Sequence, residues 1–451
     1  MIPAKQAGHF KRTFLLAFPV SVGQLGHMLT NIADSIMLGQ YEPSHLAAAT
    51  FAFSVFLPFL VFSSGFSMGM TPLVANATGA GQPDRIRHYF WHSTVLYALI
   101  GLLLSAVMYF GSPLLHLMGQ PNQVAQTSEA YFQLISISLF PLMLFQIGKQ
   151  FTEGLSMTLP GMAVSIIGNL INIVLNYIFI FGMGTLEPMG IIGAGYATLI
   201  ARGLMALMMT GFLFAHHKTQ CYMAVTRISK RIMGALQRMS WPISIQLTLE
   251  VSAFAIGTIM VGWLGEELLV VHQVAISLAS LTFIITSGVG AAATVRVGYF
   301  FGRRDTQNLK AAAHMALKMV LLFQISGALV FIFGRYYLPA LFVSTSETFI
   351  IETTAGLLII TAIFQIPDGL QVACLGILRG LNDVRIPTYI TIVAYWVVSL
   401  PVGYITAFWL GFGIHGIWVG FVCGLSTSGL LLYHRFKKVT KMDMEGANTS
   451  S

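Results

Sequence analysis

The sequence predicts an all-α membrane protein, with twelve transmembrane helices in two pseudosymmetric six-helix lobes. Three observations lead there. The 451-residue chain is 56% hydrophobic and 9% charged, with a mean hydropathy of +0.77. A soluble domain carries about 25% charged residues, so this chain has too few to cover a water-facing surface. Its apolar sequence divides into stretches long enough to cross a bilayer, for which about 20 residues are needed. Residues 19–79 of its first half also overlay its second half without a gap at an offset of 223 residues.

The spans follow in order. The first covers roughly 13–38. A basic flank precedes it, but apolar sequence continues past residue 30 without a small-residue cleavage site, so a retained helix is expected rather than a signal peptide. "GQYEPS" leads into 46–75, and "GAGQPD" separates that span from 91–112, which ends at "GSPLL". Next come 130–149, then 160–182 opened by "TLPG", then 190–215 after "GMGTLEPMG". A basic link over 216–238 joins these six spans, the N-terminal lobe of residues 1–215, to a C-terminal lobe over 239–434. That lobe holds 239–263, 268–300, 311–334, 352–378, 387–408 and 412–434, with "RGLNDVRIP" between its fourth and fifth spans. A polar tail over 435–451 follows. The breaks are rich in glycine and proline, residues that stop helices and start turns.

Charge gives the orientation. Of the 24 lysines and arginines, 20 lie in alternate connections beginning with the N-terminus, and Arg335 alone lies in the other set. Arg202, Arg296 and Lys318 fall within spans. By the positive-inside rule both termini are expected in the cytoplasm. The net charge of +8 is then loop charge facing an anionic leaflet, with membrane lipids as its partners and no call for nucleic acid. Cys221, Cys374 and Cys423 have no metal-ligand or disulfide spacing.

The repeat is carried by residues that punctuate structure. At the 223 offset Pro19 falls on Pro242, Ser21 on Ser244, Gly39 on Gly262, Ser64-Gly65 on Ser287-Gly288 and Gly79 on Gly302. "GIIG" at 190–193 falls on "GIHG" at 413–416. Six spans per half make the two halves parallel repeats about an axis normal to the membrane, an arrangement common in secondary transporters that bind substrate between halves.

Three of the 16 acidic residues lie well inside spans: Asp34, Glu250 and Asp368. A charged residue at the bilayer centre costs about 2.5–3.5 kcal/mol even on the gentler insertion scale, and such residues usually mark ion or substrate paths. Their neighbours are polar. Gln24, His27, Asn31 and Asp34 make one stripe on a helix, and Asn169, Asn172 and Asn176 make another. Gln246 lies one turn before Glu250, and Gln365 and Gln371 flank Asp368 at three residues on either side. Amide stripes alone also serve as interhelical glue, but glue does not account for carboxylates without basic partners, and Arg202 cannot neutralise three. Pro367 is expected to break its helix, freeing carbonyl groups beside Asp368 that can coordinate a small cation. Two carboxylates brought together cannot both ionise cheaply; such a pair takes up a proton or a metal cation. Glu153 and Arg379, equivalent at an offset of 226, are expected in gating or structural ion pairs.

At this point the chain resembles the multidrug and toxic compound extrusion (MATE) transporters, and their NorM-type branch in particular. The resemblance runs along nearly the whole chain, through "FPVSVGQLGHMLTNIADSIMLG", "TPLVANATGAGQPD", "GAGYATLIAR", "LEVSAFAIGTIMVGWLG" and "GILRGLNDVRIPTYI". It implies multidrug efflux by antiport, with Na⁺ or H⁺ moving in and cationic aromatic drugs moving out by alternating access between two lobes. It places Asp34, Glu250 and Asp368 at the family's cation-coupling positions, and Asn172, Asn176 and Thr198 at polar positions of an N-lobe cation site. It implies a drug-resistance transporter of the bacterial cytoplasmic membrane that needs no cofactor beyond its coupling ion. The aspartate that some branches carry low on the fifth span is missing, so Glu250 and Asp368 favour Na⁺ while H⁺ stays open. Two lobes in one chain make a monomer sufficient. A flippase for a lipid-linked oligosaccharide or peptidoglycan precursor is the alternative, but it needs a cationic cavity for a pyrophosphate. An enzyme is not expected, since no His/Asp cluster or Ser/His pair has useful spacing.

Overall fold

The computed structural model describes residues 4–448 apart from 185 and 345. Among the described residues twelve helices are long and apolar enough to span a membrane. They are α1 (Gly8–Tyr41), α2 (Pro43–Gly79), α3 (Pro83–Leu117), α4 (Asn122–Gly154), α5 (Leu159–Phe181), α6 (Gly190–Ala215), α7 (Lys230–Gly262), α8 (Glu266–Gly302), α9 (Thr306–Gly334), α10 (Thr348–Gly380), α11 (Arg385–Trp409) and α12 (Gly413–Lys441). Most run several residues past the apolar stretches that predict them. The flanks are helix-starting sequences. In α3, Pro83 and Asp84 occupy the first turn, where a missing N–H costs nothing and a negative charge meets the positive end of the helix dipole.

The chain forms two compact units, Val22–Ser244 and a second that joins the start of α1, up to Ser21, to the chain from Ile245 onward. The sequence groups residues 1–21 with the first lobe; by contact they belong with the second unit. Ala17 is buried in a core shared with Val289, Ala293, Ala316, Ala373 and Leu432. Ser21 Oγ donates to the Ile285 carbonyl at 3.4 Å. The Arg296 guanidinium donates to the His9 carbonyl at 2.8 Å and to Thr13 Oγ1 at 2.5 Å. The in-span arginine of α8 therefore anchors α1.

The internal repeat is written in the backbone. Left-handed residues close α2 at Gly81 (φ 64°) and α8 at Arg304 (φ 58°), α4 at Ser156 (φ 64°) and α10 at Asn382 (φ 60°). Gly190 (φ 54°) and Gly413 (φ 53°) open α6 and α12. The first and last of these pairs lie 223 residues apart and Ser156 and Asn382 lie 226 apart. Two pairs of prolines inside helices match as well, Pro19 in α1 with Pro242 in α7 at 223 and Pro141 in α4 with Pro367 in α10 at 226. One expectation is corrected here: α10 runs unbroken from Thr348 to Gly380 through Pro367. The proline still withholds one backbone donor, but neighbouring turns carry the helix across.

Helix α11 is unlike the rest. It opens as α-helix over Arg385–Ile392, passes through π-helix at Val393–Ser399, returns to α at Leu400–Tyr404 and ends in π-helix at Ile405–Trp409. Its backbone lies against three glycines of α12 spaced four apart. A Cβ on Gly420 would sit 2.5 Å from Gly403 Cα, one on Gly416 2.5 Å from Ala407 N, and one on Gly424 2.9 Å from the Ala394 carbonyl oxygen. Such small-residue rows let membrane helices pack backbone to backbone.

Candidate ion and substrate sites

In the unit of residues 22–244, the polar stripes of α1 and α5 face each other. Gly26 makes room, since a Cβ there would lie 2.7 Å from Asn169 Nδ2. Asn176 Nδ2 donates to Asp34 Oδ1 at 2.5 Å and to Asn172 Oδ1 at 3.2 Å, and Asn172 Nδ2 reaches Thr198 Oγ1 at 3.5 Å. Four residues singled out in the sequence, Asp34, Asn172, Asn176 and Thr198, thus form one hydrogen-bonded chain across α1, α5 and α6. Asn176 Oδ1 is buried and has no protein partner. Asp34, Asn31, Asn172 and Thr198 line a cavity of about 450 Å³ within this unit, together with Phe53, Phe56, Tyr131 and Arg202. Gln24 is half-buried and is not part of that wall.

The unit that includes Ile245 onward holds the second site. Glu250 on α7 is 9% exposed and Asp368 on α10 is 5% exposed, which puts both carboxyls out of bulk contact. Gln371, three residues beyond Asp368 on α10, reaches Glu250 and ties the two helices together at the carboxyls. Glu250 Oε1 accepts from Gln371 Nε2 at 2.9 Å and from the Tyr395 hydroxyl at 3.0 Å, and Gln371 Nε2 also reaches that hydroxyl at 3.0 Å. The first π segment of α11 sets two neighbouring side chains on α7, because Trp396 Nε1 donates to the Leu249 carbonyl at 3.2 Å. Gln371 Oε1 is buried without a protein partner.

Other expectations are redirected. Gln246 is buried one turn before Glu250, as its position implies. Gln365 points elsewhere: a Cβ on Gly327 of α9 would meet its Oε1 at 2.6 Å, and neither atom of its amide has a partner. Gln371 takes the role of Glu250's neighbour instead. Glu153 and Arg379 enter no ion pair; the ion pairs among the described residues are His45–Glu42, Arg87–Asp84, His116–Glu129 and Arg435–Asp383. Nothing in the sequence singles out Tyr395. A tyrosine in an apolar span is ordinary, and only the π segment makes it a ligand.

Chemically, both sites offer carboxylate, amide and hydroxyl oxygen. Among the described residues no three His, Cys, Asp or Glu side chains cluster as a metal site. Hard oxygen donors of this kind suit a small hard cation or a proton rather than a thiolate- or imidazole-seeking metal.

A family model described as MatE matches residues 19–178 and 242–405. The chain is 30% identical over 434 residues to a multidrug resistance protein NorM of Photobacterium profundum, covering 95% of each chain. It is 32% identical over 432 residues to a multidrug resistance protein MdtK of Pectobacterium atrosepticum, covering 94% of each. A crystal structure of a MATE protein in complex with MaL6 superposes with a TM-score of 0.90 at 22% identity, over 97% of both chains.

Proposed function

The chain belongs to the MatE family of multidrug transporters, and from that premise we propose that it exports organic cations by antiport against Na⁺ through alternating access. It is a multi-pass membrane protein and a transporter rather than an enzyme. The observation that carries the coupling reading is the buried carboxyl pair Glu250 and Asp368 with an unpartnered amide oxygen beside it. Two such carboxyls resist sharing full charge, and a cation entering between them removes the repulsion. When the cation leaves, the repulsion returns and the site resets. Asp34 with Asn176 Oδ1 is a second such arrangement in the other unit. We place the protein in a bacterial cytoplasmic membrane with both termini inside, working as a monomer among lipids, because its basic residues collect in alternate connections.

The test uses purified protein in sealed vesicles with the membrane potential clamped. An aromatic cationic dye is followed while a Na⁺ gradient or a pH gradient is imposed alone. Dye movement driven by Na⁺ alone is the expected result. Movement driven by pH alone would make the same carboxyls proton carriers, and no movement under either gradient would overturn the antiport reading.

A further inference from the structure

The seam between α9 and α10 buries two amides that no other described residue satisfies. Gln324 on α9 is 0% exposed and Gln365 on α10 is 1% exposed. In each, both the oxygen and the nitrogen are buried without a hydrogen-bond partner among the described residues. Each amide lies against a glycine of the other helix. A Cβ on Gly369 would meet Gln324 Cγ at 2.6 Å and its Nε2 at 3.2 Å, and a Cβ on Gly327 would meet Gln365 Oε1 at 2.6 Å. Gln324 is three residues from Gly327 and Gln365 is four from Gly369, so the amides sit about one turn, roughly 5 Å, apart along the seam. The seam is apolar on either side, with Ala328 and Leu358 in one buried cluster and Val320 and Ala373 in another. Thr282 of α8 turns its methyl group toward Gly327 and donates its hydroxyl to the Ala279 carbonyl at 2.8 Å, so it does not serve the amides. Asp368 precedes Gly369 and lies three residues after Gln365, which puts it within about 60° of Gln365 around α10. Gln371, on its other flank, is committed to Glu250.

An amide presents two donors and two acceptor lone pairs, and buried polar groups are nearly always paired. A bare cation would satisfy the two oxygens and leave both NH₂ groups unmet, and an anion would do the reverse. Water both donates and accepts, and a buried water typically makes about three such bonds. We propose that Gln324 and Gln365 hold a small water cluster beside Asp368, and that these waters complete the oxygen shell of a cation bound at the carboxyl pair. A small hard cation takes more oxygen ligands than two carboxyl groups supply and keeps waters among them. Both glutamines are then positioning residues that act on the cation through water. The waters need no transport reading, but their part in coupling rests on the antiport reading.

The test has two arms, both on the full-length protein in lipid nanodiscs. In the first, hydroxyl radicals made from water by an X-ray pulse oxidise side chains that touch bound water, and mass spectrometry locates the oxidation. Val320 is the probe, because its Cγ1 lies 2.6 Å from the same Cβ position of Gly369 that Gln324 approaches. Val289, likewise 1% exposed and in the same apolar cluster, is the control. Val320 is expected to be oxidised well above Val289. Gln324→Met combined with Gln365→Met, which keeps length and removes the polar atoms, should bring it down to the control. Oxidation at the control level in the unaltered protein would overturn the inference and leave the efflux reading standing; that result needs no variant to fold. Oxidation that survives the double substitution would give the waters to other groups and overturn it as well. In the second arm the melting temperature is followed as Na⁺ is added. Half-maximal stabilisation should need about tenfold more Na⁺ in the double variant, with its melting temperature in the absence of Na⁺ little changed. An unchanged Na⁺ requirement would overturn the role given to the waters, and a higher melting temperature in that variant would mark the amides as dry. No stabilisation of the unaltered protein by Na⁺ would overturn the Na⁺ reading and the role of the waters together.

Discussion

Glu250 accepts hydrogen bonds from Gln371 and Tyr395 on the same oxygen. Glu250→Gln keeps the shape but removes the charge, so gradient-driven dye efflux in vesicles should fall at least tenfold while the melting temperature in detergent changes little. Tyr395→Phe removes one donor from a buried acceptor, which costs about 1–3 kcal/mol when nothing replaces it; Na⁺-dependent thermal stabilisation should weaken while the overall fold persists. How far these residues could be read from sequence depends on what each contrasts with. Asp34, Glu250 and Asp368 are legible because a carboxylate in an apolar run has few bland explanations. Gln365 and Gln371 are not separable. Each lies three residues from Asp368, so each is rotated about 60° from it on opposite sides, and only the azimuth of α7 decides which one meets Glu250. Arg202 is visible as an in-span charge, but its neighbours across the cavity are not.

Among elements, α11 and α12 carry the sharpest expectation. Gly420→Ala would put a methyl group 2.5 Å from Gly403, and overpacking of this kind costs about 1–3 kcal/mol. The variant should melt lower and lose efflux in parallel, because the displaced helix carries Tyr395. Gly203→Ala on α6 is the control: nothing lies within 4 Å of its Cβ position, and a helical glycine replaced by alanine should gain up to about 1 kcal/mol. Pro367 belongs at this scale as well. Its equivalence to Pro141 marks it as part of the duplicated scaffold, so Pro367→Ala and Pro141→Ala should both retain the fold and affect efflux by similar, less than tenfold, amounts. A loss confined to Pro367→Ala would return that proline to the ion site. The sequence discloses the spans because hydropathy is additive along a helix. It does not disclose the π segments, whose extra residue per turn is stabilised by contacts with another helix rather than by local preference.

Across the whole molecule, orientation can be checked with a side chain already present. Cys221 in the basic link is exposed, whereas Cys374 is buried and Cys423 half-buried. A membrane-impermeant maleimide should label Cys221 in inside-out vesicles and leave it untouched in intact cells; labelling in intact cells would reverse the orientation. The duplication was legible in proline and glycine spacing, and it reappears in turn geometry, but the two copies have diverged in chemistry. Asp34 has Gly257 as its counterpart and Glu250 has His27, so each unit has acquired its own ionisable group.

The anchoring of α1 by Arg296 has a consequence for how the protein is made. A ribosome delivers His9 and Thr13 long before the guanidinium that binds them, which comes 287 and 283 residues later. That part of α1 enters the membrane before α8 is made and is settled only afterwards. Until synthesis passes Arg296, a nascent or prematurely ended chain carries a first helix whose leading turns have not met their arginine. That unfinished end is a local mark of incompleteness, available to the machinery that inserts the protein or to the proteases that remove failures.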